Sequence, residues 1–190
     1  MFSHFDPSLL KFMRNLQANN EREWFNEHKQ QYEDHVRSPA LAFIEQMEQW
    51  IPLISPHYEA SPKKIGGSLM RVYRDVRFSK NKAPYKTNVG IKFRHEVGKS
   101  AHAPGFYLHI AADNIFLGVG IWQPDREPLS AIRDHLVTTP GPYLDAIEYQ
   151  PFTEFYQLAG TKLIRPPKGC FFSTSPSPRD CTRSLMTSSA

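Results

Sequence analysis

Cysteine is nearly missing from this chain. Of 190 residues only Cys170 and Cys181 are cysteine, and both fall in the last twenty-one. Residues 1–169 therefore hold neither a cysteine-type zinc site nor a disulfide framework. A Cys170–Cys181 bridge is arithmetically open, but a cytoplasmic chain would keep it reduced. Long apolar runs are missing too. None approaches the ~18–20 residues that span a bilayer, so no membrane partner is expected. Residues 1–7 lack the basic-then-apolar pattern of a secretory signal, and the expected compartment is the cytoplasm. The phosphate-loop and dinucleotide fingerprints fail as well. Gly66-Gly67-Ser68 has no Gly-Lys-Ser/Thr after it, and Gly118 and Gly120 lie inside a strand pattern, not at a strand-to-helix turn. No cofactor is expected. No metalloprotease spacing occurs, and a metal needs three or four converging ligands, so none is expected either.

What is present is a globular composition with segregated charge. Hydrophobic residues make up 40% and aromatic residues 13%, too much apolar content for a wholly disordered chain. The net charge is only +4. Its distribution is uneven. Residues 61–100 carry 11 basic and 2 acidic side chains, while residues 1–60 carry 5 and 9, and residues 101–160 carry 2 and 7. Nearly half the cations sit in one central segment. Segregation of this kind points to an anionic partner or to an internal electrostatic clamp.

Hydrophobic period divides the chain. Leu9, Leu10, Phe12, Met13 and Leu16 form a helical face behind Pro7, with Asp6 or Ser8 as cap. Asn20 reads as the next N-cap, with Glu23 completing a capping box. Trp24, Phe25, His28, Tyr32 and Val36 follow at helical spacing. Ser38-Pro39 reads as a restart, and Leu41 to Ile54 continue the pattern. The period then falls to two. Leu69 to Arg74 reads as a strand, and Thr87 to Phe93 alternates apolar with polar. Gly105–Ala111 and Ile115–Trp122 follow, joined at Asp113-Asn114 as a hairpin. Helix returns at Pro128–Val137 and Tyr143–Tyr149. The fold class is α+β: N-terminal helices packed on an antiparallel sheet of about four strands, with further helices after the sheet. The expected domain is 1–169. Residues 170–190 are rich in Ser, Thr and Pro without apolar period and are expected to be disordered.

The candidate site lies in the basic segment. Arg71, Arg74, Arg77, Lys80, Lys82 and Lys86 supply cations, and Tyr73 and Tyr85 supply hydroxyls and rings. Arginine forks and ammonium groups bind phosphate or carboxylate through charge-assisted hydrogen bonds. His109, on the third strand pattern, is a candidate proton donor beside such a ligand. The competing account is structural, with Arg71 or Arg74 held by Asp75 or Glu23 in an internal clamp. Nucleic acid is a further candidate partner, since Tyr73, Phe78, Tyr85 and Phe93 interleave with the cations. Against it, the flanking segments are acidic, and aromatics at strand spacing are more often core.

Three stretches carry a resemblance. They are Asn19-Asn20-Glu21-Arg22-Glu23-Trp24-Phe25, the run from Arg71 to Asn88, and Pro104-Gly105-Phe106-Tyr107-Leu108-His109. Over roughly residues 2–169 the chain resembles the bacterial and fungal family DUF2461. The resemblance implies no assigned catalytic residues. It does mark a departure. After Arg165-Pro166-Pro167-Lys168-Gly169, family members look as if they continue in charged, helix-forming sequence. Here the Ser/Pro tail stands instead, as a frame error would produce.

Three functions follow as expectations. The first is a binding module for an anionic ligand, small molecule or polyanion, bearing phosphate or carboxylate. The second is an enzyme acting on a phosphoester or carboxylate with His109 or Asp75 as acid–base group. The third is a structural or partner-binding protein whose arginines form the clamp.

Overall fold

The computed structural model describes residues 2–96 and 104–156. The expected disordered tail and the frame-error idea lie outside the described residues. Two compact units divide the chain, Met1–Gln123 and Pro124–Ala190.

The first unit opens with α1, Pro7–Ala18. Asp6 caps it: its carboxylate accepts from the Ser8 N–H at 2.8 Å, and Pro7 sits in the first turn, where its missing N–H costs nothing. Leu9, Phe12, Met13 and Leu16 are buried as their spacing requires. Next come α2 (Arg22–Glu27), α3 (Lys29–Tyr32), a π-helical turn (Glu33–Arg37), α4 (Ser38–Met47) and the short α5 (Ile51–Ile54). Two caps read from the sequence are corrected here. Glu21, not Asn20, occupies the N-cap of α2, and no side chain caps it. The Asn20 amide is engaged elsewhere, as described below. Ser38 has helical φ and ψ, because the π-helical turn carries the backbone straight into α4 without a restart.

The sheet has four antiparallel strands in chain order: β1 (Tyr58–Glu59), β2 (Asn88–His95), β3 (Gly105–Ala111) and β4 (Ile115–Gly120). The short β2–β3 and β3–β4 connections favour antiparallel neighbours, whereas residues 60–87 separate β1 from β2. The β2–β3 register sets Ile91 opposite Leu108 and Gly90 opposite His109. Alternation then gives two faces. Val89, Ile91, Phe93 and Ile110 turn into one core with Leu9, Phe12, Met13, Leu16, Val36 and Ile44. Each such side chain contributes roughly 1.5–3 kcal/mol on burial. Phe2, Phe5, Phe43 and Phe93 continue that core as a chain of ring contacts. β4 ends at Gly120, whose φ of +139° strongly favours glycine, so the strand stops two residues before Trp122.

The fourth strand is not the expected one. Leu69–Arg74 makes only two isolated bridges, Leu69 to Ile91 and Tyr73 to Tyr85. Between them, three residues on one side (70–72) are set against five on the other (86–90). The ladder breaks there, as at a bulge. What remains is an irregular ribbon. Its hydrogen bonds run from Met70 N–H to Gly90 O, Lys86 N–H to Val72 O, and Arg74 N–H to Pro84 O. The fourth place in the sheet goes to β1.

The second unit contains α6 (Arg126–Thr138), α7 (Gly141–Glu148) and α8 (Gln150–Phe155). Prolines fall in the first turns of α7 and α8, which separates the three. α6 and α7 are the helices expected after the sheet, and α8 is additional to that expectation. No helix among the described residues is long and apolar enough to cross a membrane.

Candidate functional site

The ribbon is fastened to the helices at one point. The Tyr85 N–H donates to Asn20 Oδ1, and Asn20 Nδ2 donates to the Tyr85 carbonyl, both at 3.0 Å. A primary amide offers the same donor and acceptor as a peptide group. Asn20 thus pairs with Tyr85 as another strand would. The Tyr85 ring, 3% exposed, stacks on Phe25 of α2 at 4.1 Å and 20°. This contact brings α2 against the ribbon.

A cleft of about 220 Å³ opens between them, lined by Arg22, Asn26, Tyr73, Arg74, Val76, Pro84 and Tyr85. Its chemistry is one-sided. Two arginines and an asparagine line it, and no acidic residue does. Among the described residues, the side chains of Arg22, Asn26 and Arg74 have no hydrogen-bond or ion-pair partner. Tyr73 is 54% exposed, and its ring lies 5.4 Å from that of Tyr85 at a tilt of 45°. Burial raises the Tyr85 hydroxyl above its usual range, and Tyr73 raises it further, while the charge of Arg22 opposes both. The phenol stays protonated and able to donate.

The remaining cations of the segment are distributed differently. Arg77 is engaged: its guanidinium meets both Asp75 carboxylate oxygens, with Nη2 at 2.7 Å from Oδ2 and Nε at 3.0 Å from Oδ1. The Arg77 hydrogen bonds hold the Asp75 carboxyl below its ordinary range. Lys82 donates to the Val76 carbonyl at 3.0 Å and closes the loop tip. Arg71 and Lys80 are exposed. Lys86 is half-buried, and desolvation, followed by the charge of Arg71, pulls its ammonium below the usual value. Of the sequence-derived set, the structure brings Tyr73, Arg74 and Tyr85 to the cleft.

His109 belongs to another cluster, on the outer face of the sheet. Its Nδ1 lies 3.0 Å from the Tyr107 hydroxyl and 3.4 Å from Asn88 Nδ2, and its ring stacks on Phe116 at 4.8 Å and 13°. Gly90 makes room for this. A Cβ there would meet the Tyr107 ring at 3.1 Å. Desolvation lowers the His109 imidazole below its usual value, against a smaller opposing effect of Asp113. A neutral ring protonated on Nε2 leaves Nδ1 free to accept from the Tyr107 hydroxyl. None of these residues lines the cleft. No three His, Cys, Asp or Glu side chains among the described residues converge as a metal site would require.

Sequence reasoning missed Arg22 and Asn26. They stand one turn apart on the polar face of α2, where a charged side chain reads as ordinary solvent exposure. The available signal was their place in and beside the Asn19–Phe25 stretch that carried the family resemblance.

Fold and cleft together define an α+β protein with a cationic surface cleft between a helix and a strand-like ribbon. The chain belongs to the DUF2461 family of conserved hypothetical proteins, which matches residues 8–178. The match continues nine residues past Gly169, where the sequence resemblance had been placed. No curated protein and no solved structure matches the chain.

Proposed function

We propose that this protein binds an anionic ligand in the Arg22–Arg74 cleft. One observation carries the reading: two arginines with no carboxylate partner among the described residues line a single cleft. Arg22 is exposed and Arg74 half-buried, and an arginine fork with no carboxylate partner is a ready receptor for phosphate or carboxylate. Two such forks beside the Asn26 amide and the Tyr85 hydroxyl supply donors to several oxygens of one anion. Binding is favoured over the internal clamp because Asp75 pairs with Arg77, so it does not hold Arg71 or Arg74. Binding is favoured over catalysis because neither His109 nor Asp75 lines the cleft.

Thermal unfolding of the full chain with inorganic phosphate, at constant ionic strength, tests the reading. Phosphate is expected to raise the melting temperature by preferential binding to the folded state. Arg22→Ala and Arg74→Ala should each remove that shift while changing ligand-free stability by no more than about 0.5 kcal/mol, as exposed substitutions do. A shift that survives both substitutions places the anion elsewhere. A ligand-free loss of ~3–5 kcal/mol would instead mark the arginines as partners in a buried clamp.

A further inference from the structure

We propose that the ligand of this cleft is an aryl phosphomonoester, with its phosphate on Arg22, Asn26 and Arg74 and its ring against Tyr73 and Pro84. The inference rests on the anion-binding reading above and adds the ligand's class. Size bounds it first. The cleft volume of about 220 Å³ is below the ~300–1,000 Å³ of sites for drug-sized ligands. A water claims ~30 Å³ of liquid, so the cleft equals about seven waters, or about a dozen of the more tightly spaced atoms of a bonded molecule. Bare phosphate leaves most of it empty, and the open side of the cleft lets the remainder of a larger ester extend into solvent.

The lining gives the class. It has a polar part, Arg22, Asn26 and Arg74, and an apolar part, Val76, Pro84 and the two tyrosine rings. A ligand matching both carries a charged head on a compact apolar body. The head is better met by a phosphomonoester than by a carboxylate. Its charge near −1.5 to −2 answers two guanidiniums, and three terminal oxygens answer more of their donors than two would. The body is better met by a ring than by an alkyl chain. Tyr73 leaves more than half its surface open in a ribbon that buries Val72 and Tyr85 on either side. Its 45° tilt to Tyr85 at 5.4 Å forms a wedge. A planar ring entering that wedge reaches the offset or edge-to-face geometry that aromatic pairs prefer.

Calorimetric titration of the full chain with phenyl phosphate, propyl phosphate and inorganic phosphate, at one ionic strength, separates the claims. Phenyl phosphate is expected to bind about tenfold tighter than propyl phosphate, the scale of one aromatic contact. In Tyr73→Ala that ratio should fall towards one. Tyr73 is exposed, so the variant retains its core. Equal affinity for the phenyl and propyl esters, or an undiminished ratio in Tyr73→Ala, overturns the aryl assignment. If inorganic phosphate still binds in those cases, and requires Arg22 and Arg74, the anion reading stands alone. Failure of all three ligands to bind removes both. A phosphotyrosine peptide distinguishes the source. Tighter binding than phenyl phosphate marks a protein-borne ester, and weaker binding marks a free one. Either supports an aryl phosphate site.

Discussion

Two clusters in the first unit combine aromatic rings with polar side chains, and they treat their polar atoms in opposite ways. On the sheet, Tyr107, His109 and Asn88 satisfy one another, and Phe116 covers the imidazole. In the cleft, Asn20 and Phe25 hold the backbone and ring of Tyr85, but Arg22, Asn26 and Arg74 have no such partners among the described residues. In the first arrangement the polar atoms that face one another are joined by hydrogen bonds. The second has a fixed base and a set of open donors. A cluster of titratable residues is therefore a weak sign of function until its internal hydrogen bonds are known. By that measure His109, the most reactive type of residue in the expected set, already has its Nδ1 engaged.

The comparison breaks most decisively at the base of the cleft. Tyr85→Ala removes a buried ring stacked on Phe25 and is expected to cost ~3–5 kcal/mol of stability. Denaturant unfolding measures it. A loss below about 1 kcal/mol would show that the ribbon is not anchored through this ring. Asn20→Ala is the next largest. It leaves the Tyr85 N–H and carbonyl without their partner, at ~1–3 kcal/mol. If Asn20 positions the ribbon, the variant should also weaken phosphate binding although Asn20 does not line the cleft. Unchanged phosphate affinity at lowered stability would reduce Asn20 to a purely structural role.

The smallest effect lies in the sheet cluster. Its imidazole titrates below the usual His value in the folded state because burial disfavours the cation. The unfolded chain then binds more protons in the window between the two values. Stability rises with pH through that window, is fully present above about 6.5, and is lost as pH falls through the folded value. His109→Gln should flatten this part of the acid limb when the melting temperatures of the two proteins are compared from neutral pH downward. Parallel curves would show that His109 titrates the same way in both states.

The fold was legible where one period ran uninterrupted. Leu9 to Leu16 in α1 and Val89 to Phe93 in β2 bury the residues their spacing assigns. The errors share a cause, a partner distant in sequence. Leu69–Arg74 has strand composition, but its pairing slips by two residues between Ile91 and Tyr85. Pro84, with no N–H to give, stands where the ladder would continue. Asn20 has the right neighbours for an N-cap, yet its amide is taken by a backbone 65 residues away. The same distance hid half of the cleft. Arg74 was visible within a dense basic segment, whereas Arg22 became meaningful only when the ribbon folded against α2. β1 was missed because two residues between prolines make no pattern.

The π-helical turn at Glu33–Arg37 also has a geometric consequence. Tyr32, Val36, Ala40 and Ile44 are all buried, at steps of four residues. In a regular α-helix a step of four overshoots one turn by about 40°, so a row of four such residues winds away from the surface it covers. A wider turn inside the row rotates the chain less per residue and takes back part of that drift. The turn acts as a phase correction, keeping one seam of side chains in the core from Tyr32 to Ile44, in a stretch whose sequence alone would spiral off it.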